Sequence, residues 1–250
     1  MILTRDNSKF DAHRFSGAQR LENDYLRRLR QVVNQIDHIV TGMAPGGHVH
    51  RPEELREVLR RYSELLRPWS KSVAQRMVEQ VAQRNQRAWQ SMGKSIGREL
   101  RKEITQAPVG QMLQDLMNSQ VTLITSLPLE AGERVHTLAM EALVESTRAE
   151  EIAKQILATG DVTLSRARLI ARTEVARTSS ELTMARAKHV GSEAYIWRTS
   201  GDADVRESHR KMNGKIIRFD QPPEVEPGEF YHAGCFPNCR CYPEPVIVED

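Results

Sequence analysis

Aromatic residues are scarce in this sequence, with Phe, Tyr and Trp making up only 5% of 250 residues. Burial must therefore come mainly from aliphatic side chains. Leu and Ala recur with Arg, Glu and Gln at helical spacing, which favours a helix-rich architecture. No stretch approaches the roughly 18 to 20 uninterrupted apolar residues of a membrane span, so no membrane is expected as a partner. Met1 to Asp6 does not read as a secretory signal, and use inside a cell is the expectation. No internal repeat appears at the usual periods. Cysteine is limited to three residues, an odd number that cannot all pair within one chain. Nor does one sign of charge dominate, the formal net charge being +3.

What is present suits a globular chain: 39% of residues are hydrophobic, enough for one large domain or two modest ones. Charge is unevenly placed. Residues 1–125 hold 20 Lys/Arg against 13 Asp/Glu, an excess of +7, and the remainder holds 16 against 20, or −4. Basic helices can neutralise phosphates, but with carboxylates interspersed an ordinary solvated face is the favoured reading.

Residues 1–16 lack apolar periodicity and are expected to lie extended or to dock on a partner. A helical domain over 17–110 follows. Its first helix, Ala18 to Val40, carries a stripe of Leu21, Tyr25, Leu29, Val32, Val33, Ile36 and Val40, and Gly42 to Gly47 breaks it. Pro52 with Glu53 and Glu54 starts a second, with Leu55, Val58, Leu59, Tyr62, Leu65 and Leu66 as its apolar face. A third runs from about Ser70 to Thr105 through Val73, Met77, Val81, Trp89, Met92 and Ile96, where Gly93 and Gly97 weaken or bend it. Helical segments Gln111 to Ile124, Pro128 to Ser146, Arg148 to Ala158 and Leu164 to Val190 make up a central region, 111–190.

After Gly191 the pattern changes to a small α+β module, 191–250. Ala194 to Thr199 and Lys215 to Phe219 suit strands, Asn213-Gly214 signals a tight turn, and Gln221 to Gly228 reads as a proline-rich loop. Asp204 to Met212 suits one or two helical turns capped by Asp204; either Asp204 and Arg206 pair while His209 reaches the cysteines, or this is a charged surface turn with an ordinary histidine. The fold class is therefore mainly α, with short strands and a Cys/His cluster confined to the C-terminal module.

All three cysteines fall within seven residues, Cys235 to Cys241. Zinc takes four tetrahedral N or S ligands, so His209, Cys235, Cys239 and Cys241 form a candidate metal set with His232 as the alternative ligand. Cys239 and Cys241 lie only two apart, unlike a C-x2-C knuckle. A strand would still point both to one face. A Cys235–Cys239 disulfide formed after lysis, or simply buried thiols, remain the competing readings.

In order along the chain stand Ala171-Arg172-Thr173-Glu174, Gly191, Trp197, Asp204, Arg206, His209, Gly214, Asn238-Cys239-Arg240-Cys241 and Pro243. This succession resembles the phage head morphogenesis proteins related to the Mu F protein and the SPP1 minor head protein. The resemblance covers about residues 115–247, including Asn118, Leu123-Ile124 and Leu127-Pro128 at its start. It marks Arg172, Glu174, Trp197, Asp204, Arg206 and Asn238 as motif residues. Family members often carry a histidine directly before P-N-C-R-C, where this chain has Phe236, with Cys235 one residue earlier. The resemblance implies a minor capsid protein that associates with the portal protein and with the major capsid or scaffolding protein. Some relatives also associate with double-stranded DNA. It implies the virion as location, at the capsid interior or portal vertex, and the host cytoplasm during assembly. The docking region is expected in residues 1–125. The alternative is a metal-dependent nuclease using Asp202, Asp204, His209 and Asn213.

Overall fold

The structure, a computed structural model, describes residues 12–95, 107–144 and 148–246. Among the described residues six α-helices follow a 3-10 turn at Ala12–Phe15: α1 (Gln19–Met43), α2 (Pro52–Leu65), α3 (Arg67–Ser95), α4 (Gly110–Val144), α5 (Ala149–Leu157) and α6 (Thr159–His189). The C-terminal part adds β1 (Ala194–Arg198), the single turn α7 (Glu207–Arg210), β2 (Ile216–Arg218), β3 (Glu224–Glu226), β4 (Glu229–Phe230) and β5 (Tyr242–Pro245). Among the described residues no helix is long and apolar enough to cross a membrane. Two compact units result, and neither is continuous in sequence. One gathers Met1–Glu22, Arg76–Leu116 and Arg172–Asp250, the other Asn23–Gln75 and Met117–Ala171.

In the second, all-helical unit the expected stripe on α1 is buried at Tyr25, Leu29, Val32, Val33, Ile36 and Val40, while Leu21, ahead of this unit, is only half-buried. The α2 stripe is only partly so. Leu55 and Leu59 are buried, but Leu65 is 78% exposed, and Ser63 takes an interior place by donating 2.7 Å to the carbonyl of Thr125. A hydroxyl wins over a leucine there because α4 offers it a backbone acceptor. That acceptor lies beside Pro128, which the sequence reading places at a break between two helices. The structure has one helix, α4, with Pro128 inside it. Pro128 supplies no N–H to the turn before it, and side chains serve several carbonyls nearby: Thr125 donates to Val121 and Ser126 to Leu123. Arg51, just before α2, and arginines within it are matched by nearby glutamates, Arg51–Glu54, Arg56–Glu53 and Arg60–Glu57, three residues apart. Much of the basic character of this stretch is therefore neutralised locally.

A short 3-10 turn, Pro45–Gly47, packs on α5. Gly47 has φ 83°, and a Cβ there would collide with the carbonyl of Ala153, lying 2.7 Å from its carbon. Gly47→Ala is therefore expected to cost about 2–4 kcal/mol, from left-handed backbone strain plus the collision. A thermal melt checks this, and an unshifted midpoint would contradict the packing.

The first unit has a core contributed from far apart in the chain: Phe15, Trp89 and Met92 join Tyr195, Trp197, Ile217, Phe219, Val225, Cys239, Cys241 and Tyr242. The segment expected to be extended is, over Ala12–Phe15, a 3-10 turn with Phe15 fully buried edge-on to Trp89 at 5.4 Å. Ser179 donates to the Phe15 carbonyl at 2.8 Å and Arg84 to the carbonyls of Arg14 and Ser16. Residues 1–11, Ile96 and Gly97 lie outside the described residues.

Between α3 and α6 of this unit sits a buried cation. Arg186 is 4% exposed and donates to Asn85, and burial pulls its pKa down to about 10. Among the described residues no carboxylate pairs with it. The Asn85 amide also donates to Thr183 at 2.7 Å and to the Ser179 carbonyl at 3.2 Å. Removing one partner of a buried charge is costlier than removing the charge. Asn85→Ala is thus expected to cost about 2–4 kcal/mol, and adding Arg186→Met to it to restore most of that loss. Urea unfolding of both variants measures the coupling.

The three-stranded sheet has the order β2-β1-β5, all antiparallel, with Trp197 opposite Pro243 and Tyr195 opposite both Ile217 and Pro245. Strand β5, Tyr-Pro-Glu-Pro, is absent from the sequence reading. Proline is admitted because β5 is an edge strand with one partner. Part of the expected proline-rich loop is instead the strand β3, paired with β4.

Candidate metal centre

The site is built where two excursions of chain return to the sheet. Strand β1 ends at Arg198, and the chain leaves through a loop closed by Asn213, whose side-chain oxygen accepts the Thr199 N–H at 3.0 Å. Gly214, at φ 83°, then donates to the Trp197 carbonyl at 2.8 Å, bringing the chain into β2. The expected Asn213-Gly214 turn is thus the re-entry point of a 17-residue excursion, 199–215, that carries α7. Asp204 does not cap α7. Its N-cap is Arg206, without a side-chain bond, and Ser208 ties the turn to Glu226 at 2.7 Å.

This folding buries His209 to 1% exposure, with Trp197 and Phe236 edge-on to its ring at 5.6 and 5.5 Å. Its Nδ1 lies 3.3 Å from Cys239 Sγ and 3.6 Å from Cys241 Sγ. The three ligand atoms lie within 4.8 Å of one another, and all three side chains are buried. Cys239 Sγ also accepts the Cys241 N–H at 3.3 Å. The neighbouring Cys241 thiol, with His209 beside it, pulls the Cys239 pKa down, and Cys241 is pushed up in turn by Cys239 and by burial. Two sulfurs and an imidazole nitrogen at this spacing form a donor set suited to zinc.

The other two candidate ligands are elsewhere. The Cys235 thiol, pushed up to about 12 by burial and by Glu181, faces the Ala233 carbonyl at 4.0 Å. His232 Nδ1 is 3.1 Å from the Tyr195 hydroxyl, which also accepts the Ala233 N–H. All three cysteines are free thiols.

The remaining motif residues hold the ligands in place. Asn238 has φ 60°, a left-handed conformation uncommon outside glycine. Its N–H donates to Thr173 Oγ1 at 2.9 Å, and its side-chain oxygen accepts from Arg172 at 3.0 Å. Arg172 reaches Glu22 at 3.3 Å with its other face. The α6 motif thereby grips the residue immediately before Cys239. Asn238→Ala raises the backbone strain, since alanine tolerates this conformation less well than asparagine, and loses the Arg172 contact; it is expected to cost about 2–3 kcal/mol, checked by chemical denaturation. Glu174 is buried and lies 3.8 Å from Arg177. Arg206 donates to the Pro237 carbonyl at 3.1 Å and stacks over Phe236 at 4.8 Å. Asp204 pairs with Arg240 at 3.0 Å rather than with Arg206, and Asp202 meets the same guanidinium at 3.0 Å. Thr173 and Arg240 thus carry contacts that spacing alone does not assign, although both stand inside motifs.

Asp202, Asp204 and His209 line one small cavity, but Asn213 does not join them. The acids share Arg240, His209 turns to sulfur, and Asn213 serves Thr199. A cleft of about 260 Å³ lies beside Arg172, Glu22, Ser200, Asp202 and Arg240.

Compared with known proteins, residues 133–243 match the family described as Phage Mu protein F like protein. The chain is 32% identical over 139 residues to an uncharacterized protein of Haemophilus influenzae, a match taking in 56% of this chain and 30% of that one. It is 28% identical over 158 residues to Minor head protein GP7 of Bacillus phage SPP1, covering 58% and 51% respectively. The chain thus spans about a third and about half the length of these two relatives. No solved structure matches it.

Proposed function

Through residues 133–243 the chain belongs to the phage Mu protein F-like family, and from that premise we propose that it is a minor head protein. In this reading it joins the portal and inner capsid during procapsid assembly and has a zinc-fastened C-terminal module. The observation that carries the reading is the convergence of three separated motifs on one buried fastening. Arg172 and Thr173 grip Asn238, and His209 meets Cys239 and Cys241. Motif residues spent on holding one another, with their acids locked by Arg240, suit a rigid assembly part better than a nuclease.

Zinc supplies a fixed tetrahedral node when bound there by His209, Cys239 and Cys241. In this reading the partners are the portal protein and the major capsid or scaffolding protein, with packaged double-stranded DNA as a further contact of the basic half. The site of action is the capsid interior or portal vertex, after assembly in the host cytoplasm.

Docking is assigned to the helical unit, where Leu65 on α2 and Leu143 and Val144 on α4 are 75–84% exposed. Deleting residues 1–124 would be a poor test, because it removes Phe15 and Trp89 from the core of the other unit. Substitution is cleaner. Tagged protein co-produced with the portal protein of the same phage should retain it, and Leu65→Asp with Leu143→Asp should reduce that recovery. Wild-type protein that recovers no portal protein overturns the partner. Undiminished recovery by the double variant overturns the docking surface.

A further inference from the structure

We infer that the metal of the Cys/His centre has only three protein ligands and keeps its fourth coordination position for a small exogenous donor, water at rest. The inference rests on the zinc reading above and goes beyond it, because a purely structural zinc site is closed by four protein ligands.

Among the described residues, the side chains offered as further ligands are engaged elsewhere. Cys235 faces the Ala233 carbonyl, His232 faces Tyr195, and Asp202 and Asp204 are both held by Arg240. Among the described residues no fourth Cys, His, Asp or Glu joins the group. Space for a donor is present. His209, Cys239 and Cys241 together line a cavity of about 20 Å³, room for about one water-sized molecule. Its far wall is polar, formed in part by Asp202, Arg240 and Ser200, and Ser200 Oγ is buried without a hydrogen-bond partner. A water or small anion there would have a hydroxyl and a guanidinium within the same wall. The same three residues also line the 260 Å³ cleft, so the cavity and the cleft adjoin at this polar wall.

The site is also balanced for such a ligand. Two thiolates and a neutral imidazole on a divalent cation leave no net charge, so neither a neutral water nor a single anion is strongly refused.

The test is Co²⁺ substitution of the full-length protein, read by absorption spectroscopy on wild type, Cys235→Ser and His232→Gln. The expected result is thiolate-to-cobalt charge transfer of two-sulfur intensity, unchanged in both variants. Added azide should shift the cobalt d–d bands saturably. No tight Co²⁺ binding by folded wild type would overturn the zinc reading itself. Binding whose sulfur charge transfer falls by one thiolate's share in Cys235→Ser, or whose d–d bands change in His232→Gln, would retain the metal and overturn the open position. Bands unmoved by azide would likewise overturn it.

Discussion

Trp197→Ala is expected to destabilise the unit that holds the Cys/His centre by about 3–5 kcal/mol, the usual range for truncating a fully buried aromatic. Trp197 is 0% exposed, stands opposite Pro243 across β1 and β5, and lies edge-on to His209. Its loss would hollow the core on the side where His209 is held, so the cysteines should become reachable together with the loss of stability. Because the chain forms two units, a single melting temperature can mix two transitions. The sharper measurement is the rate at which Cys239 and Cys241, 2% and 3% exposed in the native state, react with a thiol reagent in rising urea. A midpoint displaced by less than about 1 kcal/mol would show that Trp197 is peripheral.

Removing the metal should do more. Wild-type protein is expected to contain zinc, and Cys239→Ser or Cys241→Ser to lose it, whereas Cys235→Ser should not. Apparent binding free energies of about 10–16 kcal/mol at structural zinc sites in small peptides set an upper bound for the loss. A three-ligand site attached to an existing core should give part of that. Elemental analysis of the four proteins, followed by thermal unfolding with and without a chelator, measures both quantities. Wild type that is metal-free and fully folded would falsify the zinc proposal.

The helices were legible because their signal is local. The stripe from Tyr25 to Val40 repeats at three- and four-residue steps, and each of its residues is buried. The Cys/His centre was legible in its types and half legible in its members: His209, Cys239 and Cys241 come together, and Cys235 does not. Spacing could not separate these cases, since Cys235 lies as close in sequence to Cys239 as a ligand would. What excludes it is the path of the Phe236-Pro237-Asn238 turn and the left-handed Asn238, neither of which has a periodic signature. Pro128 misled for a related reason. Its cost as a helix breaker is intrinsic, while the hydroxyls of Ser63, Thr125 and Ser126 that serve nearby carbonyls come partly from another helix. Strand β5 was invisible because two of its four residues are prolines, a composition acceptable only once an edge position is known. Phe15 and Trp89 illustrate the same limit, since nothing near either one in sequence reveals that they share a core with Trp197.

That shared core has a consequence for how the chain is made. Phe15 leaves the ribosome before Trp89, and the β1 and β5 residues they pack with emerge well after both. The helical unit, made of Asn23–Gln75 and Met117–Ala171, has all its parts available sooner. Folding should therefore run from the middle outward, with the helical unit forming while Phe15 and Trp89 wait unsatisfied for a sheet still to be translated. A nascent chain stopped before Tyr242 would leave this core without its edge strand and both cysteines at risk of exposure. Emergence of β5 is thus the event that seals the motif residues, and until then the Cys/His centre has no closed core behind it.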